Sequence, residues 1–197
     1  MKIIVLIFLI LFAGCPVLSQ VALPAFQAVH HSPAPNLNVG DTHQGGIVAY
    51  IFETGDAGYD AAVQHGLIAA ITDQSTGIRW SNGSNITTGA TGTAIGTGLA
   101  NTITIITIQG ALLTGYAAGL ASTHDGGSYT DWFLPSIDEL NKLYLLKIAG
   151  FGSFTNNGYW SSTEVDDDKA VRLLFNNGNR NEPNKSSNNN VRAVRTF

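Results

Sequence analysis

The sequence predicts an α+β domain with a mixed or antiparallel sheet, two helices and long loops. Three observations lead to this prediction. Runs of β-branched and aromatic residues, of which 47–52 is the first, are bounded by glycine and aspartate and indicate strands. Residues 136–147 carry apolar side chains at helical spacing. Long stretches rich in Gly, Ser, Thr and Asn separate these segments and favour loops.

The clearest helix begins at Ser136. Glu139 follows three residues later, so the two side chains can form a capping box, in which each accepts a hydrogen bond from the other residue's backbone amide. Leu140 and Leu143 then fall on one face, and Gly150 is a suitable end. The pattern predicts a helix that docks on a sheet through its leucine face.

The segment from Leu99 to Ser122 is ambiguous. Residues 102–108 are β-branched, which favours a strand. A set of apolar residues at helical spacing favours a helix instead: Ile105, Ile108, Leu112, Leu113 and Tyr116.

Four further segments are predicted to be strands: 66–71, which pairs with 47–52 as a hairpin, and then 159–162, 170–175 and 191–197. Arg192 and Arg195 lie in the last of these. Neither can be buried without an acidic partner, and Glu164 is a candidate.

Five short segments resemble the C-terminal domain of bacterial collagen-like adhesins, the Lcl C-terminal domain family: 45–48 (GGIV), 65–70 (HGLIAA), 131–144 (DWFLPSIDELNKLY), 159–164 (YWSSTE) and 191–197 (VRAVRTF). The resemblance covers roughly residues 40–197. It implies a C-type-lectin-like fold, with a helix over 101–121 and the last strand beside the first. It also implies binding of a glycan or host-surface polymer, although the collagen repeat of those adhesins is absent from this sequence.

Residues 1–20 are predicted to be a signal peptide. Lys2 supplies the positive end, and the apolar core at 3–12 is too short to span a membrane. Cleavage after Ser19 gives a secreted protein. Alternatively, residues 12–15 (FAGC) resemble a lipobox, so that 1–14 would be a lipoprotein signal and Cys15 would be acylated.

The proline-containing segment 21–39 is predicted to be a linker, and residues 40–197 are predicted to be the folded domain. Cys15 is the single cysteine, so the domain contains no disulfide, thiol nucleophile or thiolate metal site. The formal charge of −4 argues against nucleic acid as a partner.

Catalysis is not predicted. The sequence contains no Gly-x-Ser-x-Gly, His-Glu-x-x-His or phosphate-loop pattern. His43, His65 and His124 are widely separated, and nothing marks them as parts of a catalytic triad. No catalytic or metal-ligating residue is therefore assigned.

The candidate ligand-binding segment lies between Asn176 and Asn190, where eight of fifteen residues are asparagine. Asparagine both donates and accepts hydrogen bonds, which suits sugar hydroxyls and adaptable protein contacts. A solvated connection between strands explains the composition equally well. The residues assigned to ligand binding are Asn176, Asn177, Asn179, Arg180, Asn181, Glu182, Asn184, Lys185, Asn188, Asn189 and Asn190.

Calcium is an alternative rather than a predicted cofactor. Glu182, Pro183 and Asn184 match the sugar-selecting triplet of calcium-dependent lectins, and Asp166–Asp168 could supply oxygen ligands. The Trp-Asn-Asp motif that accompanies the triplet in those lectins is absent. No cofactor is therefore predicted.

The sequence predicts an exported, cell-surface domain that binds a glycan or a partner surface without catalysis. It would be linked to a membrane only if Cys15 is acylated. The alternative is a protein-interaction module. The asparagine-rich segment resembles the variable region of proteins diversified by retroelements, which use a lectin-like fold. A polyanionic glycan would require the basic residues of the last quarter to share one face: Arg172, Arg180, Lys185, Arg192 and Arg195.

Overall fold

The computed structural model describes residues 36–110 and 112–197. The predicted signal peptide, Cys15 and residues 21–35 of the predicted linker lie outside this part of the chain. The strands are β1 (Thr42–His43), β2 (Gly46–Ile51), β3 (Gly66–Ala70), β4 (Ser75–Ile78), β5 (Gly158–Glu164), β6 (Ala170–Leu174), β7 (Arg180–Asn181), β8 (Asn189–Val191) and β9 (Val194–Thr196). The α-helices are α1 (Gly98–Gln109), α2 (Ala117–Ser122) and α3 (Ile137–Ile148).

The strands form two sheets, and the predicted α+β class is confirmed. A four-stranded sheet has the order β1-β2-β3-β9, and a five-stranded sheet has the order β4-β8-β5-β6-β7. The β5–β8 pair is parallel, whereas β2–β3 is antiparallel and forms the predicted hairpin. The second sheet is therefore mixed.

The C-terminal segment forms two short strands, and the single strand predicted over 191–197 is wrong. β8 lies between β4 and β5 in one sheet, and β9 pairs with β3 in the other. The last strand is thus adjacent to the second strand of the β2–β3 hairpin and not to the first. Arg192 lies at the crossover, where it donates to Asp73 and to the carbonyls of Ala70 and Gly152.

β3 is buried on both faces, because alternate residues of a strand point to opposite sides. Leu67 and Ala69 pack in the cluster that includes the leucines of α3. Ile68 and Ala70 pack in the cluster that includes residues of α1 and α2. This strand therefore separates the two parts of the hydrophobic core.

The predicted capping box at the start of α3 is confirmed. The Ser136 hydroxyl accepts from the Glu139 amide, and the Glu139 carboxylate accepts from the Ser136 amide at 2.7 Å. The same buried carboxylate also accepts from the Gly96 amide at 2.8 Å. Glu139 thus connects the loop before α1 to the first turn of α3.

The single helix predicted over 101–121 is interrupted. α1 ends at Gln109, and Gly110 follows with a φ of 74° that favours glycine. The helical spacing of the apolar residues predicted that Leu112 would lie on the buried face of one helix. This prediction is wrong, because Leu112 is 82% exposed and lies outside both helices. No described helix is long and apolar enough to cross a membrane.

Candidate functional site

Most of the asparagine-rich segment lies on the surface, along the edge strand β7 and the turns beside it. β7 pairs with β6 through Arg172 opposite Asn181. Eight predicted ligand-binding residues are exposed, and we call them the amide rim: Asn176, Asn177, Asn179, Arg180, Asn181, Glu182, Asn184 and Asn188.

Three of the residues assigned to ligand binding are buried, so the assignment of Lys185, Asn189 and Asn190 to an exposed site is wrong. Asn189 accepts a hydrogen bond from Arg172 at 2.9 Å. Asn190 donates to Asp73 at 3.0 Å and to the Thr155 hydroxyl at 3.1 Å. These amides are used inside the protein because β8 lies between two other strands.

Lys185 is a buried residue that connects the segment carrying the rim to the interior of the domain. Its side chain and that of Glu164 are both fully buried, and Nζ lies 2.6 Å from the Glu164 carboxylate. Nζ also donates to the carbonyls of Ile86 and Asp167 at 3.0 and 3.1 Å. The ammonium group is thus surrounded by three oxygen acceptors, and it fixes the chain immediately after Asn184.

The surroundings of Glu164 favour its ionised form. Burial alone would raise the pKa of this carboxyl group. Hydrogen bonds from Lys185 and from the backbone amides of Thr88 and Gly89 outweigh burial and hold the pKa below its ordinary value. The Glu164 carboxyl group is therefore ionised at neutral pH.

Asp168 joins two loops at the end of the rim. Its carboxylate accepts from the Asn184 side chain at 2.6 Å and from the Asn85 side chain at 3.1 Å. Asn85 was not predicted as a site residue, because its loop is more than eighty residues away along the chain. The hydrogen bonds bring this loop to the rim.

The acidic run beside the rim stabilises its own turn. Asp166 accepts from the amides of Asp168 and Lys169, and these hydrogen bonds lower its pKa. Across residues 36–110 and 112–197, no group of three or more His, Cys, Asp or Glu side chains is arranged to hold a metal ion. Glu182 is exposed, and Asn184 of the same triplet uses its amide to bind Asp168.

The basic residues of the last quarter do not form a cationic face. Arg180 lies 2.6 Å from Asp138, and Arg192 and Arg195 each lie 2.7 Å from a partner carboxylate, Asp73 and Asp131 respectively. Lys185 pairs with Glu164, so the suggested pairing of Glu164 with either arginine is wrong. Arg172 is half-buried and donates to Asn189.

Three histidines lie in the described part of the chain, and all three occupy packing positions: His43, His65 and His124. The ring of His43 meets the edge of Phe197, and His65 hydrogen-bonds the backbone oxygen of the same residue. His124 packs against Trp132 with ring centroids 4.8 Å apart. None of these three contacts places an imidazole beside a nucleophile.

The fold and the rim together define a class: an α+β domain that presents a polar, amide-rich surface on rigidly anchored loops. A sequence model of the family described as the Lcl C-terminal domain matches residues 69–195, well over half of the chain. The chain belongs to the Lcl C-terminal domain family, and the predicted resemblance is confirmed. A search of curated proteins found no match.

Family membership indicates a cell-surface, adhesin-like domain. The matched range contains the whole amide rim, Lys185 and Glu164. The rim is therefore part of the family domain and not an appendage to it.

Proposed function

We propose that the amide rim binds a neutral, polyhydroxylated ligand, such as an uncharged glycan on a cell or host surface, without any reaction. The observation that carries this proposal is the combination of exposed amides with paired charges. Amide groups can donate to and accept from sugar hydroxyls. Four basic residues of the last quarter of the chain are already bound to carboxylates and are therefore poorly placed to bind a polyanion: Arg180, Lys185, Arg192 and Arg195.

The rigid support of the rim favours binding, since an anchored loop loses less conformational entropy when it contacts a ligand. Lys185 fixes one end, and the Arg180–Asp138 ion pair connects β7 to the first turn of α3. Export by residues 1–20, with or without acylation of Cys15, would place this surface outside the cell.

The rim is tested by the triple variant N179A/N181A/N188A. These three residues are exposed. Loss of two or three ligand hydrogen bonds, each worth about 0.5–1.5 kcal/mol, should lower affinity at least about fivefold. Binding is measured on a glycan array and then by calorimetry with the strongest neutral hit.

The matched control is N38A, which removes an exposed asparagine amide beside the other sheet and should leave affinity unchanged. The melting temperatures of both variants should match that of the parent. If the array selects only sulfated or sialylated glycans, or if the triple variant binds normally, the proposal is wrong. Binding to proteins alone would favour the protein-interaction alternative.

We further infer that ligand binding does not require calcium. The ammonium group of Lys185 already occupies the position between Glu164, Ile86 and Asp167, so this set of oxygens needs no metal ion. EDTA should therefore change neither the melting temperature nor glycan affinity, and Ca²⁺ titration should give no heat. A Ca²⁺-dependent rise in melting temperature would contradict this inference.

A further inference from the structure

A cavity of about 480 Å³ lies beside the four-stranded sheet, whereas the amide rim lies along the five-stranded sheet. Its lining includes residues just after β2, just before β3, in α1, in the segment before α3, and at the end of β9. These residues are Phe52, His65, Leu99, Phe133, Thr196 and Phe197. None of these residues belongs to the rim. Its volume falls within the range of about 300–1,000 Å³ that is typical of small-molecule sites.

The cavity is apolar, and none of its lining residues is Asp, Glu, Lys or Arg. Phe197 supplies a half-buried phenyl ring and Leu99 an exposed aliphatic side chain, whereas the rings of Phe52 and Phe133 are buried and form the inner wall. Aromatic walls favour an aromatic ligand, because ring–ring contacts add to the free energy of apolar burial. The absence of charged side chains from this lining favours a neutral ligand, since an unpaired charge is costly to bury.

His65 gives the cavity a directional hydrogen-bonding group. Its Nδ1 lies 2.9 Å from a backbone oxygen of Phe197, which can only accept, so Nδ1 is the donor in this hydrogen bond. In the neutral ring, Nε2 is then an acceptor. A ligand with a hydroxyl or N–H donor would satisfy this nitrogen.

The walls of the cavity are set by the backbone as well as by side chains. Gly96 has a φ of 86°, and a Cβ there would lie 2.6 Å from Cβ of Ala57. Gly58 has a φ of 89°, and a Cβ there would approach the Phe52 ring to 3.3 Å. Both glycines line the cavity, so two loops approach closely and give it a defined shape.

We propose that this cavity binds a small, neutral aromatic molecule that carries one hydroxyl or N–H donor. The three phenyl rings contact the ligand's ring, and Nε2 of His65 accepts from its donor. This site does not depend on the function proposed for the rim, and the two can be tested separately.

The probes are 2-naphthol and 2-methoxynaphthalene, which share a ring system but differ in the hydrogen-bond donor. Each is titrated into the ¹⁵N-labelled full chain, and amide shifts are followed by NMR. We expect 2-naphthol to shift the signals of Gly58, Gly96 and Thr196 saturably, and 2-methoxynaphthalene to bind about two- to tenfold more weakly, as expected for a lost hydrogen bond.

Two variants test the location. T196W places an indole at an exposed lining position and should abolish the shifts, whereas L99A removes part of the wall and should weaken binding severalfold. T107W, on the exposed face of α1, is the control and should bind like the parent. The proposal is overturned if no saturable shift occurs up to about 1 mM, if the shifts centre on the amide rim, or if folded T196W and L99A bind normally.

Discussion

Replacement of Lys185 with alanine is expected to lower the free energy of unfolding by about 3–5 kcal/mol at pH 7, because it leaves the Glu164 carboxylate buried without its cation. The substitution also removes the donor to the carbonyls of Ile86 and Asp167. A domain of this size is stable by only about 5–15 kcal/mol, so much of its stability would be lost. Urea unfolding measures the change.

The control for this variant is K169A. Lys169 lies in the same region and is exposed, so its removal should change the free energy of unfolding by less than about 0.5 kcal/mol. The double variant E164Q/K185M removes both charges and keeps most of the volume, and it should be more stable than K185M alone. A loss below about 1 kcal/mol in K185A would show that the pair does not support the rim.

The Lys185–Glu164 pair is expected to make the stability of the domain sensitive to acid. The pKa of Glu164 is lower in the folded protein than its ordinary value of 4.5, so the folded state binds this proton less readily than the unfolded state. Its contribution is therefore fully present above about pH 4.5 and is lost as the pH falls through the folded pKa. Unfolding of E164Q between pH 7 and pH 3 should show a weaker pH dependence than that of the parent.

The second large effect is expected for Trp132→Ala, which should destabilise the domain by about 3–5 kcal/mol. Trp132 is 2% exposed, packs in the cluster that contains Ile68 and Leu134, and donates from Nε1 to the Tyr129 carbonyl at 2.8 Å. Removal of the indole would leave a cavity and an acceptor without its donor. Thermal and urea unfolding measure the loss.

His124 provides a second measurement for this variant. Burial lowers the pKa of His124, and the Trp132 ring covers it. In W132A, water would reach the imidazole, and its pKa should rise toward the ordinary value, as followed by NMR titration. L112A is the control, because an exposed side chain outside the helices should change stability by less than about 0.5 kcal/mol. Equal stability of W132A and the parent would contradict the assigned core role.

Local patterns predicted the elements whose structure depends on nearby residues. The capping box of α3 needs only Ser136 and Glu139, and the β2–β3 hairpin is marked by its own strands and turn residues. The sequence could not indicate that Glu139 also binds the Gly96 amide, because this contact joins residues 43 positions apart.

The interruption after α1 could not be predicted from apolar spacing, because this helix turns several polar side chains inward. Asn101 binds the Gly92 backbone and the Ser162 hydroxyl, and Thr102 exchanges hydrogen bonds with the Leu134 backbone. Its buried face is therefore partly polar, and Leu112, which extended the apparent apolar face, is exposed.

The composition of the sequence predicted where the candidate site lies, and the order of the strands shows which of its residues are buried. An asparagine-rich segment between strands is expected to be exposed, and this holds from Asn176 to Asn184. Exposure ends where the chain enters β8, since Asn189 and Asn190 lie in a strand with neighbours on both sides. The ion pairs of Lys185, Arg192 and Arg195 depend on distant residues and therefore left no local signal.

The division of the C-terminal segment between two sheets has a consequence for biosynthesis. β8 fills the gap between β4 and β5, and β9 covers the outer edge of β3. A nascent chain that has not yet released residues 189–196 therefore leaves both sheets incomplete. Closure of the core must wait until translation has passed this segment, so a ribosome-bound or truncated chain would expose strand edges to proteases and chaperones.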